Sequence, residues 1–408
     1  MLTPSQFRDL VSGRRRGVAA TMLRCGLRLA EVPYTWAVTW RNRRYDRGTA
    51  AIERVGVPTV SVGNLTLGGT GKTPLVEWIA RWFLGDCPNF RGHHAQHGRE
   101  NGTVPFTGQG DSPVFADTKT GTVPVAIISR GYGAKAGEAN DEALELQQRL
   151  PDVPHLQNPD RVAAARQAIA ELGCRVIVLD DAFQHRRIGR DLDIVLLDAL
   201  EPFGYGHIFP RGTLREPLAG LRRAHVVALS RADMLEPSER EAVRRHAQQL
   251  APQADWIEIA HTARGLVAAD GREEALDALR DKPVAAFCGL GNPAGFRHTL
   301  SACGYRVVGF REFPDHYRYT LADLESLADW SARLGAAALL CTQKDLVKLA
   351  GLSRRTQSDC VEAPSVGATV ALSLRDGSTI ASPMLLAVRV GIEFLAGREV
   401  LESRLRAL

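Results

Sequence analysis

The chain lacks any run of about 18 uninterrupted apolar residues, which leaves nothing long enough for a membrane-spanning helix. It also lacks a CxxC pair. Its seven cysteines, at 25, 87, 174, 288, 303, 341 and 360, are scattered and odd in number. That usage carries no metal spacing and suits reduced thiols in a reducing compartment. The first fifty residues contain no lysine. They hold ten arginines against only Asp9, Glu31 and Asp46, a net +7, so the total of +5 leaves −2 on the rest of the chain. A basic segment ahead of a near-neutral body points to a local anionic partner: phospholipid head groups, nucleic acid or an acidic substrate. The N-terminal MLTPSQFRDLVSGRRRG has no clean apolar core and no small-residue cleavage site, so a cytosolic protein is expected.

What is present is ordinary for a soluble protein: 45% hydrophobic and 24% charged residues over 408 positions, enough for about two domains. Residues 17–30 have helical spacing in Val18, Met22, Cys25 and Leu29, and Tyr34, Trp36 and Trp40 follow. Such a basic, aromatic-flanked helix fits a membrane interface. It equally fits a helix packed on the core with a solvated basic face, and amphipathicity does not separate the two.

From residue 58 the pattern alternates. VPTVSVGN reads as a buried strand and PLVEWIARWFL as a helix with Pro74 in its first turn. VPVAIISRGYG, RVIVLDDAFQH, DLDIVLLDA and AHVVALSRAD read as further strands, and PDRVAAARQAIAELG as a helix. Continuous aliphatic strands between helices predict an α/β fold of the P-loop NTPase type, a parallel sheet with helices on both faces. The rhythm restarts after 235, which predicts a smaller second α/β domain. The expected division is a basic N-terminal segment 1–50, a phosphate-loop core 51–235 and a C-terminal domain 236–408. Residues 85–124 are polar, glycine-rich and aperiodic, as in a long surface insertion. Its His93, His94 and His97 are expected to be solvated loop residues rather than metal ligands.

SVGNLTLGGTGKTP lacks one more thing, the glycine that a Walker A loop carries five positions before Gly71; Thr66 stands there. The rest of the context is met. A glycine-rich turn between strand and helix aims backbone N–H groups at an anion, aided by the helix N-terminus. Gly68, Gly69, Thr70 and Gly71 would form the cradle, Lys72 would reach the β- and γ-phosphates, and Thr73 would ligate Mg²⁺. Asp180 and Asp181, at the mouth of RVIVL, fit the second metal holder. Gln184 and His185 fall close by. A hydroxyl acceptor also needs a group to take its proton. Spacing picks none: Asp141 follows a flexible loop at the sheet's carboxyl edge, and His316 lies in FPDHYRY, but on spacing alone each suits a surface or capping role better than a catalytic one.

Taken together, GNLTLGGTGKTP, ISRGYG, LDDAFQHRRIGRDLDIVLLDA, PFGYGHIFPRGTLREP, FCGLGNPAGF and FPDHYRYT resemble the tetraacyldisaccharide 4′-kinase family of lipid A biosynthesis. The likeness runs from about residue 8 to 349, interrupted at 85–124. That family's loop has the same GGxGKTP form without the first Walker glycine. The resemblance implies a kinase on the cytoplasmic face of the inner membrane. It would move the ATP γ-phosphate, with Mg²⁺, to the 4′-hydroxyl of a tetraacylated glucosamine disaccharide 1-phosphate, the lipid A disaccharide precursor. It implies an Asp141–His316 pair that activates the hydroxyl, Asp180 and Asp181 at the metal, and Arg215 near phosphate or substrate charge. An anionic membrane surface is then the expected partner of residues 1–50, with no nucleic acid and no protein partner. Two motifs depart from the family: GDEP is Asn140-Asp141-Glu142-Ala143, and TEKD is Thr342-Gln343-Lys344-Asp345.

Two rival readings remain at this point. One is a phosphotransferase or ligase on the same loop with a soluble acceptor. The other is a GTP-driven switch or metal-delivery protein, since SRAD (230–233) and TQKD (342–345) follow apolar strands as guanine-reading motifs do. Neither has the Asn such a motif requires.

Overall fold

The computed structural model describes residues 4–85, 124–131, 140–349 and 384–408. His93, His94, His97 and nearly all of the 85–124 insertion lie outside the described residues. Two helices, α1 (Pro4–Val11) and α2 (Val18–Asp46), precede the sheet. The predicted 17–30 helix is thus longer than its periodicity suggested. It continues through Pro33 and carries Tyr34, Trp36 and Trp40 on the helix itself.

The first half of the sheet holds β1 (Thr59–Asn64), α3 (Lys72–Phe83), β2 (Val125–Ser129), α4 (Asp141–Arg149), β3 (His155–Gln157), α5 (Arg161–Leu172), β4 (Val176–Asp180), β5 (Leu192–Asp198), β6 (Val226–Ser230) and α6 (Pro237–Leu250). The second holds β7 (Asp255–Ala268), β8 (Glu273–Glu274), β9 (Pro283–Cys288), α7 (Pro293–Ala302), β10 (Arg306–Glu312), α8 (Leu321–Arg333), β11 (Ala338–Thr342), the helical residues 343–349 as α9, β12 (Met384–Ala396) and α10 (Arg398–Arg406). The charged stretch NDEALELQQRL forms α4. The segment AALLCTQKDLVKL splits into β11 and α9: the apolar ALLCT pairs with β9 and β12, and the charged residues after it turn helical.

All strands join one sheet in the order β10-β9-β11-β12-β7-β6-β5-β1-β4-β2-β3, with β8 beside β7. The sheet therefore continues across the boundary expected near 235. Every neighbouring pair on this path is parallel except β7 with β12. Alternate strand residues go to opposite faces: Val176 and Val178 pack with α3, whereas Ile177 and Leu179 pack with α5. Both faces are apolar, as continuous aliphatic strands require.

The antiparallel seam decides where the functional edges fall. Strand β6 ends with Ser230 opposite Ile259 of β7. From the other side, β11 ends with Thr342 opposite Val388 of β12, and Val388 lies opposite Leu266 of β7. The two parallel halves run towards each other along β7, and their carboxyl edges meet at its middle, residues 260–265. Ligands of parallel sheets bind at carboxyl edges. Here two such edges face one cleft.

Candidate active site

That cleft has a volume of about 850 Å³ and is lined from both halves and from α2. The phosphate loop enters it between β1 and α3. Gly71 caps α3 in the left-handed region at φ 72°, and Gly68 has φ 109°. A side chain at either would strain the turn. Thr66 needs no such freedom. It bridges antiparallel to Leu214, and the Leu67 N–H donates to the Thr213 carbonyl at 2.7 Å. Positive φ in the loop begins only at Gly68, so a β-branched residue is tolerated at 66, where a Walker loop has glycine.

Lys72, Asp181 and Arg215 form one cluster. Lys72 Nζ lies 3.4 Å from Asp181 Oδ1, and Arg215 Nη1 lies 2.8 Å from both Asp181 oxygens. Burial alone would raise the Asp181 carboxyl; the two cations outweigh it and hold the group well below the usual carboxylate range. Asp180 is the opposite case. It is buried at the end of β4, its Oδ1 meets no hydrogen-bond donor, and burial, with Glu142 and Asp181 nearby, pushes its pKa up to about 7. An orphaned buried carboxylate oxygen beside a second carboxylate and the Thr73 hydroxyl is a hard-oxygen donor set that suits a divalent cation. Among the described residues no three acidic, His or Cys side chains converge tightly enough to hold a metal alone. That accords with Mg²⁺, which takes one or two carboxylates and leaves the remaining positions to phosphates and water.

His316, which follows β10, lines the same cleft, and Asp141 opens α4 beside it. His316 Nδ1 lies 3.4 Å from Asp141 Oδ2 although 175 positions separate them in sequence. His316 sits at φ 58°, held in place by its N–H donating to Asp315 Oδ1 at 3.0 Å. The lost glycine and proline of the 140–143 segment are compensated locally. Asn140 caps α4 by accepting the Ala143 N–H at 2.9 Å, and its Oδ1 accepts from Gln157 Nε2 at 2.7 Å.

The structure also brings in residues that spacing had not marked. Lys348 Nζ, almost buried on α9, lies 3.2 Å from Asp141 Oδ2, and Lys344 Nζ lies 3.3 Å from Asp315 Oδ1. Burial would raise the Asp141 carboxyl, but the His316 hydrogen bond and the charges of Lys348 and Lys344 lower it below its ordinary value. The aspartate of the 342–345 motif is structural: fully buried, Asp345 accepts from Thr342 Oγ1, the Tyr319 hydroxyl and the Gly289 N–H at 2.6, 3.1 and 3.1 Å. Gln343, in place of the family's Glu, lines the cleft. Arg161 is buried at the start of α5, faces Asp180 and Asp181, and leaves its Nε without a partner. The spacing of Lys344 and Lys348, four apart on a helix, was the one available hint. Nothing in the local pattern marks Arg161. Gln184 donates to the Asn64 carbonyl at 2.9 Å and to Glu216 Oε1 at 3.1 Å, which makes it a strut beneath the loop.

Helix α2 reaches the cleft too. Tyr34, Val38 and Arg41 line it, while Asn42 Nδ2 donates to the buried Glu216 at 2.7 Å and Arg186 pairs with Asp46 at 2.9 Å.

A sequence profile of the tetraacyldisaccharide-1-P 4′-kinase family (LpxK) matches residues 23–95 and 114–376. A tetraacyldisaccharide 4′-kinase of Anaeromyxobacter dehalogenans is 39% identical over 396 residues, spanning 96% of this chain and 92% of the relative. One from Syntrophus aciditrophicus is 34% identical over 339 residues, spanning 80% and 84%. Among solved structures, the LpxK of Aquifex aeolicus in complex with ATP aligns with a TM-score of 0.61 at 26% identity. It covers 94% of this chain and 98% of that one.

Proposed function

Because the chain belongs to the tetraacyldisaccharide-1-P 4′-kinase family, we propose that it transfers the γ-phosphoryl group of ATP to the 4′-hydroxyl of the tetraacylated disaccharide 1-phosphate of lipid A biosynthesis. One observation carries the reading: the phosphate loop, the paired aspartates and His316 of the Asp141 pair line a single cleft. Phosphoryl transfer asks mainly for positioning and charge neutralisation. Gly68–Gly71 offer backbone N–H groups to the phosphates, and Lys72, with Arg215 behind Asp181, neutralises developing charge. Mg²⁺, when bound by Thr73 with Asp180 and Asp181, would supply further neutralisation of the phosphates. The Asp141–His316 pair takes the hydroxyl proton.

The acylated acceptor lives in a bilayer, and α2 offers the contact. No helix among the described residues is long and apolar enough to cross a membrane. Yet Val18, Met22, Leu29, Val32, Trp36 and Trp40 are exposed on α2 among its arginines. Each arginine near an anionic leaflet contributes about 1 kcal/mol. We read this stripe as a peripheral contact with the cytoplasmic face of the inner membrane. The opposite side of the helix, through Tyr34 and Val38, then leads to the cleft.

The test is a γ-radiolabelled ATP assay with the tetraacyldisaccharide 1-phosphate in detergent micelles. Label should appear at the 4′ position and vanish with Lys72→Ala. A preference for GTP with acceptor-independent hydrolysis would sink the kinase reading. For the membrane contact, flotation with anionic vesicles should weaken in Trp36→Ser/Trp40→Ser; undiminished flotation would refute it.

A further inference from the structure

Two consecutive carbonyls of the phosphate loop are held from behind by two consecutive residues at the end of β6. Arg231 Nη2 donates to the Gly69 carbonyl at 3.1 Å, and Ser230 Oγ donates to the Thr70 carbonyl at 2.8 Å. Arg231 is itself fixed by Asp198, 2.5 Å from its Nη1. Ser230 has a single hydroxyl hydrogen, and the Thr70 carbonyl takes it. The 3.1 Å contact between Ser230 Oγ and His261 Nε2 therefore has the imidazole donating, which sets the Nε2–H tautomer. Burial, with Arg231 and Arg149 nearby, lowers the ring's pKa far below its usual value, so the imidazole is neutral.

His261 is also the floor under the loop. A Cβ added to Gly71 would come within 1.9 Å of His261 Cε1. The residue belongs to the middle stretch of β7, where the carboxyl edges of the two halves meet. A trans peptide directs the C=O of one residue and the N–H of the next to opposite sides. With the Gly69 and Thr70 carbonyls turned to the end of β6, the Thr70 and Gly71 N–H groups point away from it.

We propose that Ser230, Arg231 and His261 clamp the carbonyls of the phosphate loop and act as positioning residues, aiming the Thr70 and Gly71 N–H groups at the nucleotide phosphates. This rests on the reading of the loop as the ATP site. It gives the SRAD segment a task unrelated to guanine recognition: it shapes the anion cradle and touches no base. His261 acts only through Ser230 and through its contact with Gly71.

Calorimetric titration of Mg·ATP into the full chain, run beside steady-state kinetics, tests the clamp. Ser230→Ala is expected to weaken ATP binding about tenfold, the loss of one buried hydrogen bond. His261→Phe should do the same, and the double variant should lose little more than either single one, because the path runs through Ser230. Ser230→Thr and His261→Gln keep the hydroxyl and the N–H donor and should stay within about twofold of the parent. KM for the lipid acceptor should not move in any of them. Unchanged ATP affinity in Ser230→Ala overturns the proposal, as does an equal loss in His261→Gln and His261→Phe, or a parallel rise in acceptor KM. Should His261→Phe not fold, the contrast of Ser230→Ala with Ser230→Thr decides alone. A parent protein that fails to bind ATP would overturn the nucleotide reading and the clamp with it.

Discussion

At the phosphate-loop end of the cleft, Lys72 and Arg215 stand 3.4 and 2.8 Å from Asp181, and Ser230 and Arg231 hold the loop's own carbonyls. All of these come from the first half of the sheet. In the second cluster, Asp141 from that half meets His316 and Lys348 from the other, at 3.4 and 3.2 Å. The first site is built within one parallel unit, so its geometry is set by strand register. The second exists only because two carboxyl edges face each other across β7. A site of the first kind should survive changes in how the halves approach; a site of the second kind should be sensitive to them.

Substitutions at the two ends should separate accordingly. Lys72→Ala is expected to cost turnover about a thousandfold and to weaken ATP binding as well. Asp141→Asn should lower kcat roughly a hundredfold while ATP binding, read by calorimetry, stays intact. Loss of nucleotide affinity in Asp141→Asn would mean that the two ends are not separable.

Lys348→Met sharpens the contrast through pH. Lys348 is among the groups that hold the Asp141 carboxyl below its ordinary pKa against burial. Without it the carboxyl rises and is more protonated at a given acidic pH. The acid limb of the kcat profile should move to higher pH, with about tenfold less activity at the acid end and a smaller loss above neutrality. Lys348→Arg should restore the limb, and an unmoved limb in Lys348→Met would remove Lys348 from the site. The smallest effect is expected at Asn140. Replacing this cap with Ala should cost about 1 kcal/mol in denaturant unfolding and only a few-fold in kcat. A loss as large as that of Asp141→Asn would mean that the cap does more than start α4.

The phosphate loop was legible because its parts are contiguous: strand, glycines, Lys72 and Thr73 fall within residues 59–83, and local geometry does the rest. The alternation of aliphatic strands with helices likewise marked a parallel sheet covered on both faces. Asp141 and His316 were found only through motif resemblance, since no spacing rule connects positions 175 apart. Arg161 and His261 carried no local signal, and Lys348 only its spacing of four from Lys344. A buried cation or imidazole earns its role from partners on other elements. The length of α2 was hidden by Pro33 and the arginine run, and it persists because Asn42, Arg186 and Asp46 tie its end to the core.

The sequence by itself determined most of the strands and helices and the glycine-rich turn before α3, because hydrophobic period and glycine placement act over a few residues. The tertiary structure alone decided that β7 and β12 run antiparallel and so turn two carboxyl edges into one cleft. Strand direction across a seam depends on which distant segments can pair and bury their faces together. That long-range choice brought His316 and Lys348 to Asp141 beside the cleft of the glycine-rich loop.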